Sequence, residues 1–231
     1  SLKNHDWQGT LEKLNIQSKQ AGAWQLNNPL AIHAQQTDAG LNLQTGKTCL
    51  MQNSAALCLQ GKSSDNGDFA GVVAIQSFSS RLIAPFLPPD IKVQTELNAD
   101  AKVQQVKGKL LGEYQLKLSP IALTVQDKNL QLGATAINGT LNGTRINTDL
   151  NIGLFGHDSL QGQIQLNTDK SQTLSGQIST SISEFTPIKA FAPQLSNITG
   201  TLSSQIKLAG TIKKPLIQGN IDLDNSGIKL A

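Results

Sequence analysis

Apolar and polar side chains alternate with a period of two along most of the chain. Ile121, Leu123 and Val125 alternate with Ala122, Thr124 and Gln126, and Leu130, Leu132, Ala134 and Ala136 alternate with Gln131, Gly133 and Thr135. Ile146, Thr148, Leu150, Ile152 and Leu154 alternate with Asn147, Asp149, Asn151 and Gly153. The pattern returns at Leu160, Gly162, Ile164 and Leu166, at Leu174, Gly176 and Ile178, and at Ile198, Leu202, Ile206 and Leu208. Successive strand side chains point to opposite faces, so this spacing predicts strands with one apolar and one polar face.

Polar turn signals punctuate the strands: Asp65-Asn66-Gly67, Asn138-Gly139, Asn142-Gly143, Asn167-Thr168-Asp169-Lys170 and Asp224-Asn225-Ser226-Gly227. Each is predicted as a turn, and their spacing predicts an antiparallel meander of about fifteen or more strands. Val/Ile-rich runs separated by helices are missing, which argues against a parallel α/β sheet. Two segments interrupt the period, Ser79 to Pro88 and Ser183 to Pro193. Each starts at a serine, spaces its apolar residues helically and ends at a proline, predicting a short N-capped helix. Superposing Pro88 on Pro193 sets Phe86 against Phe191, Val93 against Ile198, Leu97 against Leu202 and Val103 against Leu208. This predicts an internal repeat, with units near 70–125 and 175–231, within a single elongated β segment over 1–231.

Composition sharpens the picture. Of 231 residues only 4% are aromatic and 15% charged, against about 25% charged in an ordinary soluble domain. Amides fill the gap, with 24 Gln and 17 Asn. A helical bundle would carry Glu, Lys and Ala on its surface, and the recurring Leu, Ile and Val exclude a disordered chain. The net charge of +3 is spread as single residues, which leaves no electrostatic footprint for nucleic acid. The apolar face is almost wholly Leu, Ile, Val, Ala and Gly. Such a face suits flexible acyl chains, at about 0.8 kcal/mol per buried methylene, and equally the core of a closed sandwich or barrel.

The chain opens Ser1-Leu2-Lys3 and has no run of 18 apolar residues, so it reads as a piece of something longer. Cys49 and Cys58, with eight residues between them, leave two readings: two buried thiols, or a disulfide closing a short hairpin. The second is expected, and it implies an oxidising compartment such as the bacterial periplasm.

No catalytic constellation emerges, and the chain is expected not to be an enzyme and to need no cofactor or metal. Gly46-Lys47-Thr48 lacks the upstream glycine spacing and following helix of a phosphate loop. His5, His33 and His157 are isolated from other ligating residues. Gly156-His157-Asp158-Ser159 holds the letters of a catalytic triad, but sequence neighbours cannot adopt its geometry, and the tetrapeptide falls at a predicted turn.

The order of motifs resembles the TamB family, among the large AsmA-like envelope proteins of diderm bacteria. Trp7-Gln8-Gly9-Thr10-Leu11, then Gly22-Ala23-Trp24-Gln25-Leu26, looks like that family's strand motif of Trp, Gly-x-Leu and Gly-x-Trp. Cys49-Leu50 with Leu57-Cys58-Leu59-Gln60-Gly61 matches its cysteine pair. Phe86-Leu87-Pro88 and Leu118-Ser119-Pro120 are similar to its Leu-Pro helix end and its Ser-Pro strand start. The element Gly210-Thr211 through Pro215, Gly219 and Leu223 is similar to one that recurs there. The aromatic expected after Leu-Cys-Leu-x-Gly is absent near Lys62-Ser63-Ser64, and neither the family's N-terminal membrane helix nor its C-terminal domain is recognisable.

The resemblance implies a β-taco: an all-β, elongated, U-shaped antiparallel sheet around an aliphatic groove, within an internal periplasmic piece of an inner-membrane-anchored protein that reaches the outer membrane. At about 4.8 Å per strand, fifteen strands would span roughly 70 Å. The implied roles are phospholipid transport and assembly of outer-membrane proteins such as autotransporters, with the outer-membrane partner TamA engaged through another region. Leu130, Leu132, Ile146, Leu150, Ile152, Ile164, Leu166, Ile178, Leu202 and Ile206 are then the residues expected to line the groove against acyl chains. Two other readings stand beside the conduit: a scaffold that holds unfolded β-barrel clients by strand addition, and a passive β-rod.

Overall fold

A computed structural model of the chain describes residues 5–125, 127–185 and 195–230. The alternating segments form β1 (His5–Leu11), β2 (Asn15–Ser18), β3 (Gly22–Leu26), β4 (Leu30–Gln36), β5 (Leu41–Gln52), β6 (Ala55–Ser63) and β7 (Phe69–Ser79). They continue as β8 (Ile91–Gln94), β9 (Glu96–Val106), β10 (Lys109–Leu118), β11 (Ile121–Val125), β12 (Lys128–Leu132) and β13 (Thr135–Asn142). The last five are β14 (Arg145–Gly153), β15 (Ser159–Asn167), β16 (Leu174–Ile182), β17 (Leu195–Thr211) and β18 (Lys214–Leu230).

Fifteen strands make one antiparallel sheet in the order β1-β4-β5-β6-β7-β9-β10-β13-β14-β15-β16-β17-β18, with the β2–β3 hairpin attached through β5. β1 and β18 do not pair, so the sheet is open: a taco- or groove-like sheet and not a closed barrel. β8, β11 and β12 form a separate three-stranded sheet. It arises because three neighbouring strands break along one line, at Thr95, at Ser119-Pro120 and at Gly133-Ala134. Pro120 has no N–H to give a ladder. The Ser119 hydroxyl accepts from Glu96 N–H at 2.8 Å, and Thr95 Oγ1 donates to Ser119 O at 2.9 Å. Gly133 and Gly153 lie so close that a Cβ on either would overlap the other's backbone. The strand expected to run from Leu130 through Ala136 is therefore two strands, and Leu130 and Leu132 belong to the smaller sheet.

Three other expectations are corrected. Asn138-Gly139 is not a turn but lies inside β13, where Gly139 leaves room for the Tyr114 ring. Asp224-Asn225-Ser226-Gly227 lies inside β18 at a register shift opposite Thr199–Thr201; Asn225 takes φ 50° to make a bulge instead of a reversal. The segment from Ser79 to Pro88 is two 3-10 turns, Ser80–Leu82 and Ala84–Phe86, not an α-helix. The Ser79 side chain does cap Arg81 N–H, but Pro85 removes a donor and disfavours α geometry at Ala84. Of the corresponding segment from Ser183, residues 186–193 lie outside the described residues.

Among the described residues no layer of helices covers the sheet, and the burial pattern reflects it. Among the described residues only Trp24, Ala55, Ala56, Cys58 and Phe185 are buried apolar residues, and no large side chain is fully buried. The accessible surface is 15208 Å², against about 10,000 Å² for a compact monomer of this mass.

Candidate functional site: an aliphatic sheet face

Directly paired residues in neighbouring antiparallel strands share a face, so the register traces what each face presents. One row starts at Leu26 and runs through Leu50, Leu57, Ile75, Ala99 and Leu116. It continues through Ile137, Leu150, Gly162, Ile178 and Ile206 to Gly219 on β18. All twelve positions are apolar or glycine. The row one step away on the opposite face runs Asp100, Gln115, Asn138, Asp149, Gln163, Gln177, Lys207 and Gln218. The amides that were conspicuous in composition are the solvent side of the sheet.

Eight of the ten expected lining residues sit together on this aliphatic face. Leu150, Ile178 and Ile206 belong to the row above. Ile146 opposes Leu166, Ile152 opposes Leu160, Ile164 opposes Thr148 and Gly176, and Leu202 opposes Ile182 and Leu223. Leu130 and Leu132 instead pair with Leu123 and Ile121 in the small sheet, whose opposite face carries Ala122, Thr124, Asn129 and Gln131. The row also contains Leu50, Leu57, Ile75, Leu116 and Ile137, which the sequence reading does not include. For Leu50 and Ile75 the reason is physical: bulges between Thr45 and Thr48 and between Ile75 and Phe78 reverse facing along β5 and β7.

Glycine placement follows the same face. Gly9, Gly61, Gly71, Gly112, Gly139, Gly162, Gly176 and Gly219 all lie on the aliphatic side. The gaps are filled by neighbours lying across them. Leu150 leans over Gly162, and Tyr114 lies over Gly139 with its hydroxyl 2.6 Å from Thr148 Oγ1. The face is thus low in relief, without large side chains projecting at these positions.

At one end the face is capped. Trp24 on β3 and Phe78 on β7 stack with ring centroids 6.3 Å apart, over strands that include Ala55, itself 3% exposed. Those two strands are three steps apart in the sheet, roughly 14 Å if flat. The rings therefore lean toward each other across the aliphatic face. Trp24 Nε1 donates to Ala21 O at 3.0 Å, which satisfies its polar end.

The remaining predicted features fall elsewhere. Cys49 and Cys58 are direct partners on β5 and β6 and form a disulfide, on the polar side of the sheet. Gly46-Lys47 lies at the β5 bulge, not in a phosphate loop. His33 Nε2 lies 2.6 Å from Asp6 Oδ1, a surface pair across β1 and β4 that separation in sequence hid. Asp158 lies in the β14–β15 turn, as expected, but is nearly buried. It accepts from Ser183 N–H, the Ser183 hydroxyl and Glu184 N–H at 2.8–2.9 Å. Burial raises its carboxyl, but these bonds, aided by His157, outweigh it and hold the group below the ordinary carboxylate value. Among the described residues no three His, Cys, Asp or Glu side chains gather as a metal site, and no helix is long and apolar enough to cross a membrane.

No solved structure matches the chain. A family model described as the TamB N-terminal domain matches residues 1–223, nearly the whole length. With the open, one-sided sheet beneath that match, the chain belongs to the TamB family of the translocation and assembly module.

Proposed function

We propose that this chain is a non-enzymatic periplasmic segment of a protein bridging the inner and outer membranes, and that its aliphatic face holds phospholipid acyl chains in transit. One observation carries the reading: register-aligned aliphatic rows extend from β3 to β18, and beyond the Trp24–Phe78 pair at one end no second layer lies over them among the described residues. An apolar face this long is costly in water unless something apolar covers it. Acyl chains are a fitting cover because each methylene contributes about 0.8 kcal/mol without requiring polar recognition. The low relief created by the glycines suits a sliding ligand better than a keyed one. Lipid would serve outer-membrane biogenesis, including autotransporter assembly with TamA, which would be engaged outside this region.

The test is lipid analysis of the purified protein by native mass spectrometry. Bound phospholipid is expected. Leu150→Asp, in the middle of the main row, should lower occupancy about tenfold or more, because a carboxylate would have to be buried against acyl chains. Gln163→Asp, one row away on the polar face, should leave it unchanged. Equal occupancy in the two variants would exclude this face as the lipid site.

A second reading, a scaffold for unfolded β-strand clients, is favoured by β18. It is an edge strand whose Ile217 and Ile221 are 66% and 71% exposed. Crosslinks from β18 to unfolded barrel strands, without bound lipid, would select it.

A further inference from the structure

Cations that lie singly along the sequence are gathered by the meander. The hairpins from β9 to β18 turn at one edge of the large sheet, at 107–108, 143–144, 168–173 and 212–213, so successive turns stand roughly 10 Å apart, two strand spacings. Lys107, Lys170 and Lys213 sit in these turns, and Lys109, Arg145 and Lys214 are the first residues of β10, β14 and β18. All six are exposed, and none makes an ion pair among the described residues. Among the described residues the one acid on this stretch, Asp169, is taken up by its own turn, accepting from Ser171 N–H and Asn167 Nδ2 at 2.8 Å. The bias is local. Toward β4–β7 the same edge carries Asp38, Asp65 and Asp68 against Lys62, and the opposite ends of β9, β10, β15 and β16 carry Glu96, Asp158 and Glu184 against Lys117.

The aliphatic face runs right up to this basic edge. Its paired row there is Val103, Gly112, Leu141, Ile146, Leu166 and Leu174. Along β14 the apolar positions extend from Ile146 to Ile152, about 20 Å of strand, which is room for an acyl chain that fills one leaflet of a hydrocarbon core about 30 Å thick. A lipid laid along the strands brings its headgroup to one edge or the other, and only this edge offers a row of unpaired cations. Basic clusters bordering an apolar surface attract anionic lipids, whereas a zwitterionic headgroup carries its own cation and cancels much of the attraction. Resting on the acyl-chain reading above, we propose that the hairpin edge from β9 to β18 receives the headgroups and favours phospholipids of net negative charge, such as phosphatidylglycerol, over zwitterionic ones.

The test incubates the whole chain with vesicles of equal phosphatidylglycerol and phosphatidylethanolamine, removes the vesicles by flotation and identifies the bound lipid by mass spectrometry. Phosphatidylglycerol should be enriched about threefold over the vesicle ratio, the scale of one exposed ion pair. Salt at about 1 M, which shortens the screening length to roughly 3 Å, should remove most of that enrichment. Lys107→Gln, Arg145→Gln, Lys170→Gln and Lys213→Gln together should return the ratio to that of the vesicles. Lys13→Gln, Lys19→Gln, Lys47→Gln and Lys92→Gln, which remove the same charge elsewhere, should leave the enrichment in place. Lipid bound by the parent at the vesicle ratio, or equal enrichment in the two variants, would overturn the headgroup assignment and leave the acyl-chain reading standing. A parent that binds no lipid would overturn both. Flotation of the chain itself with the vesicles, lost in the edge variant, would also overturn the assignment, making this edge a docking surface for a membrane.

Discussion

Gly139 shows how a single residue type is fixed by its cross-strand neighbours. Any Cβ there would overlap the Tyr114 ring, whose hydroxyl is held to Thr148. Gly139→Ala should displace the ring and break that bond, destabilising the fold by about 1–3 kcal/mol in urea unfolding. From sequence, Asn138-Gly139 carried the letters of a hairpin turn, and the overlying aromatic that makes the glycine a strand residue stands 25 positions earlier. Asp158 was similarly opaque, because the groups it caps are Ser183 and Glu184. Its loss in Asp158→Ala should cost about 1–3 kcal/mol near neutral pH. The native carboxyl is held low, so its contribution is complete above the unfolded value of about 3.9 and fades as pH falls through the lower native value. The stability gap between parent and Asp158→Ala should therefore narrow below about pH 4; a constant gap would mean the carboxylate charge is irrelevant.

At the scale of elements, period two was enough to locate most strands and the two faces of β14 through β17. It failed where the chain changes parity without changing composition. The breaks at Ser119-Pro120 and Gly133-Ala134 divert Leu130 and Leu132 into the small sheet, and the bulge at Asn225 uses the same residues that a turn would use. The offset between the two proline-ended segments places Thr95, a strand break, against Gly200, a bulge with φ 121°. Leu97 and Leu202, like Val103 and Leu208, occupy the aliphatic face in both places. The β5–β6 hairpin is held covalently as well as by its ladder. Reducing Cys49–Cys58, or replacing both with serine, should lower stability by about 2–4 kcal/mol. Thermal unfolding with and without reductant measures this, and thiol titration of the denatured, unreduced chain should find no reactive thiol.

At the scale of the molecule, scarcity of aromatics and abundance of amides acquire a common cause. One face of a single long sheet is aliphatic and, among the described residues, covered by no helix, and the other is written in Gln, Asn and Ser. Sequence could supply the two compositions but not the openness of the sheet, since an identical alternation would build a closed sandwich. An open sheet should scatter X-rays with a radius of gyration above the roughly 17 Å of a compact chain this long; a value at that figure would mean the sheet folds onto itself.

The order of strands in the large sheet follows, almost without exception, the order of strands in the chain. Each strand's partners are thus the segments just before and just after it, and stability becomes a sum over nearest neighbours, as in repeat proteins. A chain delivered N-terminus first could zip up as it emerges, every new hairpin templated by the last, with no distant segment to wait for. Hydrogen exchange should then fray inward from β1 and β18, and shortening the chain by whole hairpins should trim the sheet and leave the rest standing.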